Sequence, residues 1–218
     1  MPSHYDEAYY RSTLDMSDAM FVMASKLRAQ KLQPSIGPSD RVLEFGVGSG
    51  LNLASLVCGA RHGYDINPIS NVVARKNGIE LVEPSKIERE TYDVVICHHV
   101  LEHLMAPVEC LMEAHRLLRH GGTLLLFVPY EEQPRYRKHM SNDPDHHLYS
   151  WTPHTLANLV IECGFKLRSA SVGTFGYDRI CARWAVKFGL GEAGYRFIHQ
   201  GAHLIRPERE VRVVAERP

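Results

Sequence analysis

A glycine-rich segment at residues 44–50 has the composition of a loop that comes close to a ligand. Its sequence is Glu-Phe-Gly-Val-Gly-Ser-Gly, and glycines allow both a tight turn and a close approach of the backbone. A dinucleotide-binding fingerprint would need a third glycine at position 51, where this chain has Leu51. Glu44 would repel a pyrophosphate but suits a positively charged ligand. The segment therefore favours a cationic ligand over a dinucleotide.

Asp65 is a second carboxylate in a position to bind a ligand. It comes at the end of the next apolar segment, in the sequence Gly-Tyr-Asp-Ile-Asn, where a carboxylate can accept hydrogen bonds from both hydroxyls of a ribose. Together with Glu44 it fits a ligand that contains a ribose and an ammonium group but no phosphate. The alternative interpretation is that Asp65 only places a negative charge near the N-terminus of the following helix.

Histidines are frequent in this chain, and five of the 13 fall into two short segments. They are His98, His99, His103, His146 and His147. We expect the two segments to meet at the carboxyl edge of a sheet, where ligands bind in folds with parallel strands. A histidine there can take a proton from a hydroxyl or ammonium group. We predict this catalytic role for His147 first and for His99 second.

Each of these histidines also has a structural interpretation. His103 has the setting of a hydrogen-bonded packing residue, while His146 and His147 can cap a loop. A metal site needs ligands at suitable spacing, and among the His and Cys pairs only His99 with His103 offers one. We therefore expect no bound metal.

The composition limits the partners and the size of the fold. The chain has 218 residues, 25 basic and 25 acidic side chains, and 44% hydrophobic residues. These values are typical of one globular domain, and we assign residues 1–218 to it. Because a net charge of zero removes the long-range attraction to a phosphate backbone, we expect a small-molecule partner rather than nucleic acid.

Three features predict a cytoplasmic protein without a membrane segment. The five cysteines are widely spaced and include no Cys-x-x-Cys pair, which is typical of free thiols in a reducing compartment. The N-terminal residues have neither the basic nor the apolar part of a secretory signal. The longest apolar run, residues 123–129, is far shorter than the roughly 20 residues that a membrane helix needs.

Short apolar segments alternate with amphipathic ones along most of the chain. We predict strands at residues 42–45, 60–64, 79–82, 92–97, 123–128, 165–172 and 211–216. We predict helices at residues 51–58, 68–76, 108–118, 152–164 and 178–188. Such alternation implies right-handed crossovers and a mostly parallel sheet covered on both faces, a doubly wound α/β fold. Residues 1–35 are predicted to form a helical N-terminal cap, and residues 129–150 and 173–207 to be insertions on the substrate side.

Four segments in this order resemble the class I S-adenosylmethionine-dependent methyltransferases: residues 42–50, Asp65, residues 92–104 and residues 117–129. Residues 147–153 are similar to the His-x-x-x-x-Thr-Pro element of the small-molecule branch of that family, and a predicted helix ending in Gly-Phe follows them. The resemblance covers residues 5–172. It implies a Rossmann-like, three-layer fold with a seven-stranded sheet whose last strand is reversed, and S-adenosylmethionine as the cofactor.

The resemblance also implies roles for individual residues, all of them contacts with that cofactor. Gly46, Val47 and Gly48 would surround the methionine moiety, and Glu44 would lie near its ammonium group. Asp65 would hold the ribose hydroxyls and Ile66 would pack on the adenine. His98 would line the pocket near the sulfonium, and Tyr10 or Tyr9 would close over the cofactor. The chain departs from the family pattern after the third strand, where residues 83–87 read Glu-Pro-Ser-Lys-Ile.

The activity that the resemblance implies is methyl transfer to a small-molecule acceptor at an oxygen or nitrogen atom. This reaction is an in-line displacement with an activated leaving group, so positioning and the exclusion of water supply most of the acceleration. Assistance by a histidine base is optional. Two alternatives stay open: a non-catalytic partner subunit with the methyltransferase fold, and a tRNA-modifying methyltransferase. A nucleotide-linked oxidoreductase is disfavoured by Leu51 and Glu44.

Overall fold

The computed structural model describes residues 16–133, 136, 138, 139, 141, 143 and 145–218. Tyr9 and Tyr10, and part of the predicted N-terminal cap, lie outside the described residues. The described part contains seven strands: β1 (Arg41–Phe45), β2 (Ala60–Tyr64), β3 (Glu80–Leu81), β4 (Tyr92–His98), β5 (Leu118–Pro129), β6 (Lys166–Phe175) and β7 (Glu208–Glu216).

The strands form one sheet in the order β3-β2-β1-β4-β5-β7-β6. The first five strands in the chain pair in parallel, whereas β7 runs antiparallel to both β5 and β6, between which it lies. Val213 of β7 is opposite Leu126 on one side and Ala170 on the other. The predicted mostly parallel sheet with a reversed last strand is confirmed.

Six helices are described: α1 (Asp18–Leu32), α2 (Pro68–Lys76), α3 (Pro107–Leu117), α4 (Pro153–Glu162), α5 (Asp178–Lys187) and α6 (Gly191–Ile205). Two of them begin at a side chain that caps the helix. The Asn67 side chain accepts hydrogen bonds from Ile69 N and Ser70 N at the start of α2, and Thr152 forms a capping box with Thr155 at the start of α4. None of the helices in the described ranges combines the length and the apolar character needed to cross a membrane.

The helix predicted at residues 51–58 is wrong, because this stretch forms consecutive turns. Leu53 N donates to Gly50 O and Leu56 N donates to Leu53 O, both over three residues. The carbonyl of Ala54 accepts instead from the Arg61 side chain at 2.8 Å. In residues 173–207 the helix predicted at 178–188 is present as α5, whereas the extension of β6 to Phe175 and the helix α6 were not predicted.

The core lies on both faces of the sheet, because neighbouring side chains of a strand point to opposite sides. On one face Val95 and Leu124 pack with Leu111 of α3 and Val160 of α4. On the other face Val94, Ile96 and Leu125 pack with Ala29 and Leu32 of α1. Helix α1 therefore completes one outer layer, which fixes where its polar side chains meet the carboxyl edge of the sheet. The three-layer architecture is confirmed.

Candidate functional site

The glycine loop turns sharply at the carboxyl end of β1. Gly46 has a φ of +65° and Gly48 a φ of +53°, a region that favours glycine. A Cβ on Gly46 would collide with the Val100 side chain, so the loop also passes too close to the chain after β4 for any larger residue. The Gly48 N–H donates to Asp65 Oδ2 at 2.9 Å. The loop after β1 and the loop after β2 are thereby tied together.

Both carboxylate oxygens of Asp65 accept hydrogen bonds from backbone N–H groups, because Oδ1 accepts from Asn67 N at 2.8 Å in addition to the bond from Gly48 to Oδ2. Beside it is a cavity of about 220 Å³ that also includes Tyr64, Val82 and Glu83 in its lining. Glu83 belongs to the segment that departs from the family pattern, and the structure places it on the same side as Asp65. Ile66, next to Asp65, is 84% exposed.

Glu44 is fully buried near the end of β1. Its Oε1 accepts a hydrogen bond from Asn52 Nδ2, whereas its Oε2 has no hydrogen-bond partner among the described residues. Burial raises the pKa of Glu44 to about 8, because an apolar environment disfavours the charged carboxylate. A cationic group brought next to Oε2 would stabilise that charge.

Helix α1 contributes two cations that the sequence reasoning missed. Arg28 donates to Asp178 Oδ2 through Nε and Nη2, at 2.8 and 2.6 Å, and to Asn52 Oδ1 through Nη1 at 3.2 Å. Lys31 donates to Glu210 Oε1 at 2.8 Å. Burial lowers the pKa of Lys31 to about 8. Their spacing of three residues, which places both on one face of a helix, was the available signal.

Glu210 of β7 is a third missed residue, because the predicted strand began one residue after it. It is fully buried and accepts hydrogen bonds from Lys31, from Arg212 Nε at 2.8 Å and from His99 Nε2 at 3.3 Å. Burial alone would raise the pKa of Glu210, but the hydrogen bond from His99 and the charge of Lys31 hold it at about 2. Glu210 is therefore a fixed negative charge.

His98 lies at the end of β4, inside this polar network. Its Nε2 is 2.9 Å from Lys31 Nζ and 3.3 Å from Arg28 Nη1. Burial and the adjacent Lys31 cation hold the pKa of His98 well below its usual range, so the ring is neutral and accepts from these cations. Its ring stacks on that of His99, with centroids 4.5 Å apart.

His99 lines a second cavity, of about 360 Å³, at the carboxyl edge of the sheet. The wall is formed by the chain after β4, by described residues of the segment 129–150 that follows β5, by the last residue of β6 and by the first residues of β7. The lining residues are His99, Glu102, His103, Pro129, Tyr130, Glu131, Gln133, Tyr136, Asp145, His147, Phe175, Glu208 and Arg209.

His147 and Glu131 both line this cavity and are hydrogen-bonded to each other, with His147 Nδ1 2.5 Å from Glu131 Oε1. Burial lowers the pKa of His147, but the hydrogen bond and the nearby Glu102 and Glu131 charges outweigh it and raise the pKa above its usual value. Its ring centroid is 4.8 Å from that of His103. Burial raises the pKa of Glu102 to about 8.

Most of the predicted site residues thus fall into two groups, whereas His98 lies in the polar network with Lys31 and Ile66 is exposed. The linked loops after β1 and β2 contain Gly46, Val47, Gly48 and Asp65, and Glu44 is buried in β1, just before the first loop. His99 and His147, the two predicted catalytic residues, line the larger cavity together. His146, predicted beside them, does not line that cavity, and Tyr10 lies outside the described residues.

Comparisons with known proteins agree with this fold. The family described as a methyltransferase domain matches residues 19–170. The ubiquinone biosynthesis O-methyltransferase of Hahella chejuensis is 30% identical over 100 residues, which cover 40% of this chain and 42% of that protein. The chain therefore spans about two fifths of the length of that curated relative.

Solved structures are similar over almost the whole chain. A methyltransferase solved in complex with the Haloferax volcanii Trm112 methyltransferase activator superimposes with a TM-score of 0.64 at 18% identity, covering 97% of this chain and 95% of that one. A SAM-dependent methyltransferase of Archaeoglobus fulgidus gives a TM-score of 0.61 at 17% identity, covering 97% and 100%. From the family match over most of its length and its sheet with a reversed last strand, this chain belongs to the class I S-adenosylmethionine-dependent methyltransferases.

Proposed function

We propose that this chain transfers a methyl group from S-adenosylmethionine to an oxygen or nitrogen atom of a small molecule bound in the 360 Å³ cavity. The observation that carries the proposal is the stacked pair His98 and His99. His98 belongs to the network that reaches Glu44 through Arg28 and Asn52, whereas His99 lines the cavity. The cofactor residues and the acceptor cavity are thereby adjacent.

The residues of the first group fit S-adenosylmethionine. Glu44 is a buried carboxylate whose Oε2 has no hydrogen-bond partner among the described residues, and an ammonium group would supply one. Asp65 borders a cavity at the end of β2 and keeps lone pairs for ribose hydroxyls. When bound, S-adenosylmethionine supplies a methyl group that is already activated for displacement. Gly46 and Gly48 leave the backbone room to approach the methionine moiety.

The residues around the larger cavity bind the acceptor, exclude water and receive its proton. With its Nε2 proton donated to Glu210, His99 keeps the lone pair of Nδ1 to take a proton from a hydroxyl or ammonium group. Glu210 is held by Lys31 and Arg212 and fixes that orientation. His147, hydrogen-bonded to Glu131, is the second candidate for the base. A positioned base contributes roughly 10²–10⁴-fold.

The acceptor is proposed to be small because the cavity holds about 360 Å³. Among its described lining residues, four carry a carboxyl group, Glu102, Glu131, Asp145 and Glu208, and one, Arg209, carries a guanidinium. Such a lining would repel the phosphates of tRNA. The O-methyltransferase name of the Hahella chejuensis relative supports an oxygen acceptor. The widely spaced cysteines keep the cytoplasm as our proposed location.

A partner-dependent role is the second candidate, because the similar methyltransferase was solved with the Trm112 activator of Haloferax volcanii. In that case the isolated chain would bind the cofactor but would show no turnover until the activator was added. The acceptor cavity beside the cofactor residues favours an active enzyme over a non-catalytic subunit.

Two experiments test the proposal. Calorimetric titration with S-adenosylhomocysteine is expected to show one binding site, and no binding at millimolar ligand would refute the cofactor assignment. Incubation of the chain with methyl-labelled S-adenosylmethionine and a metabolite extract is expected to label a small molecule. Label recovered in tRNA or protein, and not in small molecules, would refute the acceptor class.

A further inference from the structure

Glu102 is a buried carboxylate that lines the proposed acceptor cavity and takes no part in the proton transfer proposed for His99 and His147. It is 1% exposed, and neither of its carboxylate oxygens has a hydrogen-bond partner among the described residues. Its position is fixed by the backbone, since its carbonyl accepts from Leu148 N at 2.7 Å. At neutral pH such a carboxyl group keeps a proton, because burying its charged form without a partner costs several kcal/mol. A ligand that supplies positive charge would remove this cost.

Three histidines lie near this carboxylate, and the first is His99, whose Nδ1 is 3.9 Å from Glu102 Oε1. His103 Nε2 is 3.8 Å from Glu102 Oε1, and one ligand atom each of Glu102, His103 and His147 lie within 4.8 Å of one another. Ligands at tetrahedral angles around a cation, with bonds of about 2.1 Å, are about 3.4 Å apart. Small side-chain rotations therefore bring these three groups into coordination distance.

Glu131 contacts the other ring nitrogen of His147. It hydrogen-bonds to Nδ1 of His147 at 2.5 Å, which leaves Nε2 as the nitrogen that can bind a ligand. Histidines that bind metals almost always donate their other ring N–H to a carboxylate, a carbonyl or water. The pair of Glu131 and His147 has the geometry of such a support.

We propose that Glu102, His103 and His147 bind a first-row divalent cation, of the Mn²⁺ or Zn²⁺ kind, in the acceptor cavity. Two imidazoles and one carboxylate favour these ions over Mg²⁺ or Ca²⁺, which prefer oxygen ligands. Three protein ligands leave coordination positions open towards the cavity. Its excess of carboxylates attracts a cation, and the lining Arg209 is itself paired with Glu132 at 2.8 Å.

A second cluster, formed by His98, His99 and Glu210, has similar spacing but already contains a cation of the protein. Lys31 Nζ lies 2.8 Å from Glu210 Oε1 and 2.9 Å from His98 Nε2. A metal ion there would have to displace this ammonium group. The second cluster therefore serves as the control when metal binding to the first is tested.

The consequence for the acceptor rests on the proposed function. An acceptor hydroxyl that coordinates the cation has a lowered pKa, so the proposal favours oxygen over nitrogen acceptors. With His147 engaged as a ligand, the proton goes to Nδ1 of His99. The acceptor oxygen then bonds to the methyl carbon as the carbon–sulfur bond breaks, and its electron pair stays on sulfur.

The test is a titration of the full chain with Mn²⁺, followed by the loss of the electron paramagnetic resonance signal of free Mn²⁺ and repeated with Zn²⁺ by calorimetry. We expect about one equivalent to bind, with Mg²⁺ at least about tenfold weaker. Glu102→Gln and His147→Asn should each lower the affinity by about tenfold or more. His154→Asn, on an exposed position of α4, and Glu210→Gln, in the second cluster, should leave it unchanged.

Binding of S-adenosylhomocysteine is measured on the same samples as a check of folding and of the cofactor site. Variants that no longer bind the metal but still bind S-adenosylhomocysteine support the metal site. If Glu102→Gln does not fold, the result for His147→Asn decides whether the site exists. If neither Mn²⁺ nor Zn²⁺ binds, or both bind equally to all variants, the metal proposal is overturned. Metal binding without binding of S-adenosylhomocysteine would overturn the proposed function alone.

Discussion

His98 and His99 are neighbours in the chain, yet their rings stack with planes 16° apart. Consecutive side chains of a strand normally point to opposite faces of the sheet. The strand ends at His98, and His99 has a φ of +56°, a left-handed conformation that turns its ring back to the same side. This one backbone position places His99, which lines the 360 Å³ cavity, against His98 of the network around Glu44 and Lys31.

Removal of the Asp65 carboxylate tests the ribose assignment. Asp65→Ala should weaken the binding of S-adenosylhomocysteine about tenfold or more, because an unpaired buried partner costs about 1–3 kcal/mol. Calorimetric titration measures this affinity. Asn67→Ala, which removes the cap of α2 next to Asp65, is the control and should lower the free energy of unfolding with little change in affinity. An unchanged affinity in Asp65→Ala would contradict the assignment.

His99→Asn tests the base. It should lower kcat by about 100-fold or more with the acceptor found in the labelling screen, while the KM for S-adenosylmethionine stays the same. A steady-state assay separates the two constants, and His154→Asn is the matched control. An equal kcat for His99→Asn and wild type would move the role to His147, which is tested by the same substitution.

The pH dependence of stability reports on Glu44. Its pKa is raised from 4.5 to about 8 in the folded chain, so the folded state keeps a proton that the unfolded state releases. This contribution to stability is fully present below about pH 4.5 and is lost as the pH rises through about 8. Denaturant unfolding of wild type should therefore lose more stability over this window than unfolding of Glu44→Gln.

Glu80→Gln, whose side chain is 74% exposed, is the control for this effect and should follow the wild-type pH profile. Parallel profiles for wild type and Glu44→Gln would show that Glu44 titrates near its ordinary value and would contradict the raised pKa.

A comparison of two glycines isolates the close approach of the glycine loop. Gly78→Ala places a side chain at a φ of +79° with no atom within 4 Å of its Cβ, so it should cost about 1–2 kcal/mol from the backbone alone. Gly46→Ala has a similar φ and also collides with Val100, which should add about 1–3 kcal/mol. Thermal unfolding measures both, and Val100→Ala should recover part of the Gly46→Ala loss. Equal losses would contradict the collision.

The buried pair of Arg28 and Asp178 should hold α1 on α5. Arg28→Met leaves Asp178 without its main cation and is expected to cost about 3–5 kcal/mol of unfolding free energy. Adding Asp178→Asn should restore much of this loss, because the uncompensated charge is gone. Lys76→Met breaks an exposed pair with Asp18 and should cost less than about 1 kcal/mol. Similar losses for Arg28→Met and Lys76→Met would contradict a buried, stabilising pair.

The sequence alone determined the elements whose signals are local. The strand at residues 60–64 and the helix at 68–76 were predicted with the bounds that the structure has, because apolar runs, an asparagine cap and a proline at the first turn act over a few residues. The glycine loop and Asp65 were recognised for the same reason. The helix at 51–58 was wrong because an apolar pattern over so few residues does not distinguish a helix from the turns that the structure has there.

Only the tertiary structure decided how the site is assembled. Lys31 meets Glu210 across 179 positions of the chain and His147 meets Glu131 across 16, and no periodic pattern encodes which charges will face each other after packing. The isolation of Glu102 is likewise a property of the folded chain, since burial of a carboxylate depends on every element around it. The sequence determined which chemical groups this protein has, and packing decided which of them are neighbours and which carry their charge.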